Sequence, residues 1–222
     1  IAQREKIFIP ALCYHCDLVP HESCRLCMVE VEGDKNLRAA CSLKASPDMK
    51  IHTNTARVEA SLITNLELTW AQHEGKCEDC NRKLSCRLHD LAQRYVFNKK
   101  KFSDRKAGKH PYQFGPSIHF EPDKCINCEN CSEMCAMQTN GGFIRPREGK
   151  YNFEVSPSRE MHHDCIYCGQ CIIHCPTGAL SEVEDYYKVL ELINRGKKVV
   201  LQFAPAVRTS LGEEFGLTVG EN

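Results

Sequence analysis

Sixteen cysteines, most of them in C-x-x-C pairs, constrain this chain more than any other feature of its 222 residues. Cysteines two residues apart bridge one another poorly, so the arrangement suits metal or cluster binding in a reducing compartment rather than a disulfide framework. The expected location is therefore the cytoplasm. Acidic and basic side chains balance at 29 each, against the basic excess of a dedicated nucleic-acid binder. No run approaches the eighteen or so apolar residues of a membrane span, and no signal peptide is visible. The length suits one large domain or two to three small ones.

The strongest pattern occurs twice. CINCENCSEMC, residues 125–135, and CIYCGQCIIHC, residues 165–175, both read C-x2-C-x2-C-x3-C. In this ferredoxin run three cysteines hold one 4Fe-4S cluster and the fourth crosses to the other. The expectation is one 4Fe-4S site from Cys125, Cys128, Cys131 and Cys175, and another from Cys165, Cys168, Cys171 and Cys135. Each half reads as a loop followed by a short helix, with strands in SIHFEP and ALSEVE pairing around them. Pro176 fits the pattern after the second run, whereas Ala136 departs from it after the first.

Cys13, Cys24, Cys27 and Cys41 form a looser group beside a short strand, MVEVEG, and its partner, NLRAACSL. Two close and two distant cysteines suit a 2Fe-2S cluster of the plant ferredoxin kind. Cys16 could replace Cys13 in this set, and structural zinc is the competing reading for the group.

Between these groups, ARVEASLITNLELTW predicts a helix whose Val58, Leu62, Leu66 and Trp70 make one apolar stripe, capped by Asn54 or Thr55. Its end delivers His73 to H-x3-C-x2-C-x5-C, formed with Cys77, Cys80 and Cys86. This set predicts a third 4Fe-4S site. A neutral imidazole in place of a thiolate removes one negative charge and raises the reduction potential. A zinc knuckle, or a His73 that only caps the helix, are the alternatives. Fifteen cysteines and His73 then supply ligands for one 2Fe-2S and three 4Fe-4S clusters, with Cys16 left over.

Clusters closed by four protein ligands offer no open position to a substrate, so the expected role is electron transfer. No G-x-G-x-x-G or P-loop occurs, which places flavin or nicotinamide chemistry on another subunit. The basic stretch RYVFNKKKFSDRKAGKH reads either as a solvated linker or as a docking patch for an acidic electron carrier, with Lys99, Lys100 and Lys101 at its centre. Beyond the last cysteine, DYYKVLELINRG predicts an amphipathic helix ended by Gly196, and KKVVLQF a buried strand.

The spacing of the first group and the order of all four resemble the iron–sulfur region of NAD(P)-linked iron-only hydrogenase large subunits. The large iron–sulfur subunit of complex I is similar too. The closing APAVRTSLGEEFGL resembles the approach to the catalytic domain of these hydrogenases, so the resemblance covers essentially the whole chain. It implies an α+β architecture of four parts. Residues 1–54 would be a plant-type 2Fe-2S ferredoxin-like (β-grasp) module, 55–110 a small helical His/Cys 4Fe-4S module, 111–184 a bacterial-type two-cluster 4Fe-4S ferredoxin module, and 185–222 the start of a hydrogenase-like domain. It also implies a multi-subunit complex with a flavin- and NAD(P)-binding subunit, a thioredoxin-like 2Fe-2S subunit and ferredoxin, often electron-bifurcating. No cysteine follows Cys175, so the hydrogen-converting site is not within this stretch. Both ends read as cut, from IAQREKIFIPALC to FGLTVGEN. The alternative is a relay-only subunit of a formate dehydrogenase or complex I-like assembly without hydrogenase activity.

Overall fold

The computed structural model describes residues 1–73, 77, 78, 80, 82–103, 110–139, 142–148, 153–157 and 165–218. The chain divides into two units, Ile1–Val183 and Glu184–Asn222.

In the first unit a small antiparallel sheet comes first. Its central strand β1 (Met28–Val31) pairs with β2 (Arg38–Ala39) on one side and β3 (Ile51–His52) on the other. The register Met28↔Ala39 brings the flanking Cys27 and Cys41 to the same end of the hairpin. Helix α1 (Ala56–Trp70) packs on β1. Thr55 caps it, its hydroxyl accepting from the Val58 N–H at 3.3 Å, while also donating to Glu30 Oε2 at 2.7 Å. Val58, Leu62, Leu66 and Trp70 are all buried, as the four-residue spacing predicts. Helix α2 (Arg87–Arg94) starts directly after Cys86 and buries Leu88 and Leu91 in the same core as Leu62, Leu66 and Trp70.

The second sheet orders β4 (Tyr112–Phe114), β5 (Ile118–Phe120) and β8 (Leu180–Glu182), all antiparallel. The SIHFEP and ALSEVE strands therefore pair directly, with Phe120 opposite Leu180. Helices α3 (Asn130–Thr139) and α4 (Gln170–Ile173) follow the two cysteine loops, and a hairpin of β6 (Ile144–Glu148) and β7 (Phe153–Pro157) lies between them in sequence. Neither β4 nor this hairpin stands out from the amino-acid pattern.

The second unit contains α5 (Tyr186–Asn194), ended by Gly196 at φ 70°, and α6 (Pro205–Glu214). Left-handed Gly196 lets its own N–H and that of Lys197 turn back onto Ile193 and Leu192 carbonyls. KKVVLQF corrects the expectation of a buried strand. It is irregular, and Val200 and Leu201 are 84% and 77% exposed. Alternation-free apolar runs become strands only where a neighbour accepts their backbone hydrogen bonds, and among the described residues no strand lies beside this one.

Candidate metal centres

Cys13 and Cys24 approach to 3.4 Å between their Sγ atoms, and the Leu12 N–H points at Cys24 Sγ from 3.5 Å. The β1–β2 hairpin adds Cys27 and Cys41, held by an Ala40 N–H to Cys27 carbonyl bond of 2.9 Å. A cavity of about 150 Å³ beside Cys27 and Cys41 is lined also by Ile1, Ile7, Ile9 and Tyr14. The hydrogen bond shared by the two thiols, Cys13 and Cys24, holds Cys13 down at about 5 and, reinforced by burial, pushes Cys24 up. Burial, then the neighbouring Cys27, pushes Cys41 up to about 12. Thiols so placed resist ionising together unless a cation balances them. Cys16 lies apart: it is exposed and donates to Asp17 Oδ1 at 3.5 Å. The structure thus favours Cys13 over Cys16 as the member of this set.

His73 closes the last turn after α1, its N–H bonded to the Trp70 carbonyl at 2.9 Å. The ring is buried, 6.0 Å from the Trp70 ring, and its Nδ1 faces the Lys124 carbonyl at 3.0 Å. Cys77 and Cys86 pack in the core that contains Trp70. Burial raises both thiols, and each also senses the charge of Cys80. The three cysteines are therefore neighbours, and His73 lies beside the tryptophan of the same core.

The eight cysteines of the repeat separate into two cavities. One is lined by Cys125, Cys128, Cys131 and Cys175 together with Phe120, Ile126 and Leu180. The other is lined by Cys135, Cys165, Cys168 and Cys171 together with Ile118, Phe143 and Ile144. Each run thus sends its last cysteine to the cavity of the other. Helix α3 explains half of the crossing, because Cys131 and Cys135 lie one turn apart on it and serve different cavities. Burial, then neighbouring thiols, raises Cys128 and Cys131 well above the ordinary thiol value and Cys171 to about 12.

Backbone conformation repeats with the cysteines. Asn127 and Tyr167, forty residues apart, both have φ 53°, and Glu129 and Gly169 have φ 65° and 72°. A bulky residue is costly there. At Asn127 and Tyr167 it turns the N–H back toward the preceding Cys125 and Cys165 sulfurs, 3.4 Å away in each case. Phe143 and Ile144 N–H groups likewise donate to Cys135 Sγ at 3.1 and 3.5 Å. Sulfurs surrounded by backbone donors and apolar walls are the donor set that iron–sulfur clusters take, since these bonds stabilise thiolate charge. Sequence reasoning missed these donors. The forty-residue spacing was their only signal.

The basic stretch is less free than its composition suggests. Lys101 pairs with buried Glu67 at 2.6 Å, and the Lys99 ammonium lies 4.8 Å over the Trp70 ring. Lys100 remains exposed, and residues 104–109 lie outside the described residues. No described helix is long and apolar enough to cross a membrane.

Similarity to known proteins agrees with this geometry. Residues 1–56 match the 2Fe-2S iron-sulfur cluster binding domain, and residues 124–180 match the 4Fe-4S dicluster domain. The chain is 36% identical over 96% of its length to the NADP-reducing hydrogenase subunit HndD of Solidesulfovibrio fructosivorans, of which it spans 38%. It is 31% identical over 79% of its length to the NADH-ubiquinone oxidoreductase 75 kDa subunit of Reclinomonas americana, of which it spans 25%. A chain of an NAD+-reducing [NiFe]-hydrogenase crystal structure shares the fold, with a TM-score of 0.72, 23% identity, and coverage of 82% of this chain and 78% of that one. The protein thus carries a 2Fe-2S domain followed by a 4Fe-4S dicluster domain, and is homologous to the N-terminal iron–sulfur region of NADP-reducing hydrogenase subunits and of the 75 kDa subunits of NADH-ubiquinone oxidoreductases.

Proposed function

We propose that this chain is the electron-relay part of an NAD(P)-linked, hydrogenase-type assembly. The observation that carries the reading is the sorting of eight cysteines into two cavities, each completed by the last cysteine of the other run. We assign Cys13, Cys24, Cys27 and Cys41 to a 2Fe-2S centre. Three 4Fe-4S centres follow, on His73 with Cys77, Cys80 and Cys86, on Cys125, Cys128, Cys131 and Cys175, and on Cys135, Cys165, Cys168 and Cys171. When bound, such clusters exchange single electrons and offer no open coordination position.

The protein's own residues supply position and environment. Leu12, Cys13, Cys24, Cys77, Cys86 and Cys128 share one apolar core, so three of the four sites are held around a single packed interior. Cys125, Cys131 and Cys175 belong to a second core, which also contains Cys171. The set containing Cys128 therefore borders all of the others. Buried apolar walls exclude water there, and the backbone N–H groups at Asn127, Phe143 and Tyr167 offset thiolate charge. Partners in this reading are a flavin- and NAD(P)-binding subunit, a thioredoxin-like 2Fe-2S subunit and ferredoxin in a cytoplasmic complex, with electron bifurcation among its activities. The likeness to the 75 kDa subunit of NADH-ubiquinone oxidoreductase favours a second reading, a relay without hydrogenase activity.

Anaerobic purification followed by iron and sulfide counting and electron paramagnetic resonance tests the relay. The expected result is about fourteen irons per chain, from one two-iron and three four-iron centres. Zinc without iron would refute it. Further cysteine motifs in the reading frame beyond Asn222 would separate the hydrogenase reading from the relay-only one.

A further inference from the structure

His73 and Thr177 reach the same atom. The Lys124 carbonyl oxygen lies 3.0 Å from His73 Nδ1 and 2.8 Å from Thr177 Oγ1. It joins the turn after α1, the loop ahead of Cys125 and the turn after Cys175. A carbonyl can only accept, so both groups donate to it. The imidazole therefore carries its proton on Nδ1, which leaves the lone pair on Nε2, the nitrogen able to bind a metal. The hydroxyl has a single proton, committed to Lys124 rather than to Cys175 Sγ at 3.9 Å. Thr177 is 1% exposed and His73 8%, so neither bond is diluted by water.

The turn that presents Thr177 is fixed from the His73 side of the site. Gly178 sits at φ +69°, and a Cβ there would fall 2.4 Å from Arg82 Cγ. The same Arg82 side chain donates to the Cys175 carbonyl at 3.4 Å. Thr177 is thereby held in place by the segment between Cys80 and Cys86 as well as by its own chain.

We propose that Thr177 is a positioning residue that tunes the centre held by His73, through the carbonyl they share. The inference rests on His73 being a ligand, as assigned above. Two donors on one oxygen compete for its electron density, so each draws less from it than it would alone. Without the Thr177 hydroxyl, Lys124 turns wholly onto the imidazole, the Nδ1–H bond becomes more polarised, and Nε2 becomes a stronger donor. A stronger donor favours the oxidised centre and lowers its midpoint potential.

The test is a redox titration of the complete, anaerobically prepared chain, with the 14N hyperfine coupling of the His73 centre read by pulsed electron paramagnetic resonance. Thr177→Val, close in shape and lacking the hydroxyl, should lower the midpoint of that centre and change its 14N coupling. Thr177→Ser should return both to the parent values. If Thr177→Val loads its clusters poorly, Thr177→Ala removes the same hydroxyl and gives the same reading. A purely structural role would reduce cluster content and leave midpoint and coupling alone, which would overturn the inference. Absence of any 14N coupling in the parent protein would instead refute the ligand assignment of His73, a distinct result.

Discussion

The Sγ atoms of Cys13 and Cys24, eleven residues apart in sequence, lie 3.4 Å from each other, while Cys16 is turned to solvent beside Asp17. The loop between them closes so that Cys13 of the first C-x-x-C pair meets Cys24 of the second and Cys16 is left outside. Cys13→Ser should therefore lower the iron content by about two atoms and abolish the two-iron signal, on the stoichiometry of such centres. Cys16→Ser should change neither. Loss of the two-iron signal in Cys16→Ser would show that the ligand set had been misassigned.

Cys131 and Cys135 occupy successive turns of α3 and line separate cavities. Replacing each with serine should disturb different four-iron centres, separable by their signals in a redox titration. Cys135→Ser should mimic Cys168→Ser, and Cys131→Ser should mimic Cys125→Ser. Identical spectra for Cys131→Ser and Cys135→Ser would contradict the crossed arrangement.

At the proposed third four-iron site, with His73 as ligand, His73→Cys would exchange a neutral ligand for an anionic one. The centre should persist, because iron accepts four thiolates readily, but its midpoint potential should fall as the negative charge at the site increases by one. Potentiometric titration would decide this. An unaltered midpoint and spectrum would exclude His73 from the ligand set.

Glu67 offers a pH test remote from the sulfur chemistry. The hydrogen bond from Lys101 holds its carboxyl below the usual carboxylate value of 4.5 against the opposing effect of burial, helped by the Asn98 N–H at 3.2 Å. A folded-state value below the unfolded one means that the contribution to stability is present above pH 4.5 and is lost as pH falls through the folded-state value. Lys101→Met should lower the melting temperature at pH 7, where it leaves a buried carboxylate unpaired. The gap from the parent protein should narrow on acidification below pH 4.5. A gap independent of pH would mean that the ion pair contributes nothing.

The sequence by itself determined the chemistry and much of the local structure. Cysteine spacing sorted the chain into four groups because cluster ligation needs sulfurs at short, fixed intervals on a turning loop. The apolar spacing of α1 and the Thr55 cap were likewise local matters, since a helix is specified by residues three and four apart. Tertiary structure decided what depends on contacts between distant segments. It distinguished Cys13 from Cys16, because only folding buries one and exposes the other. It tied Lys99 and Lys101 to α1, where composition suggested a solvated run. It also left KKVVLQF irregular, because a strand needs a neighbour that its own residues cannot provide. The meeting of His73 and Thr177 on one carbonyl, between residues more than a hundred positions apart, has no trace in the pattern of amino acids. Hydrogen bonds of that kind are set by where the elements pack, and packing is a property of the whole core.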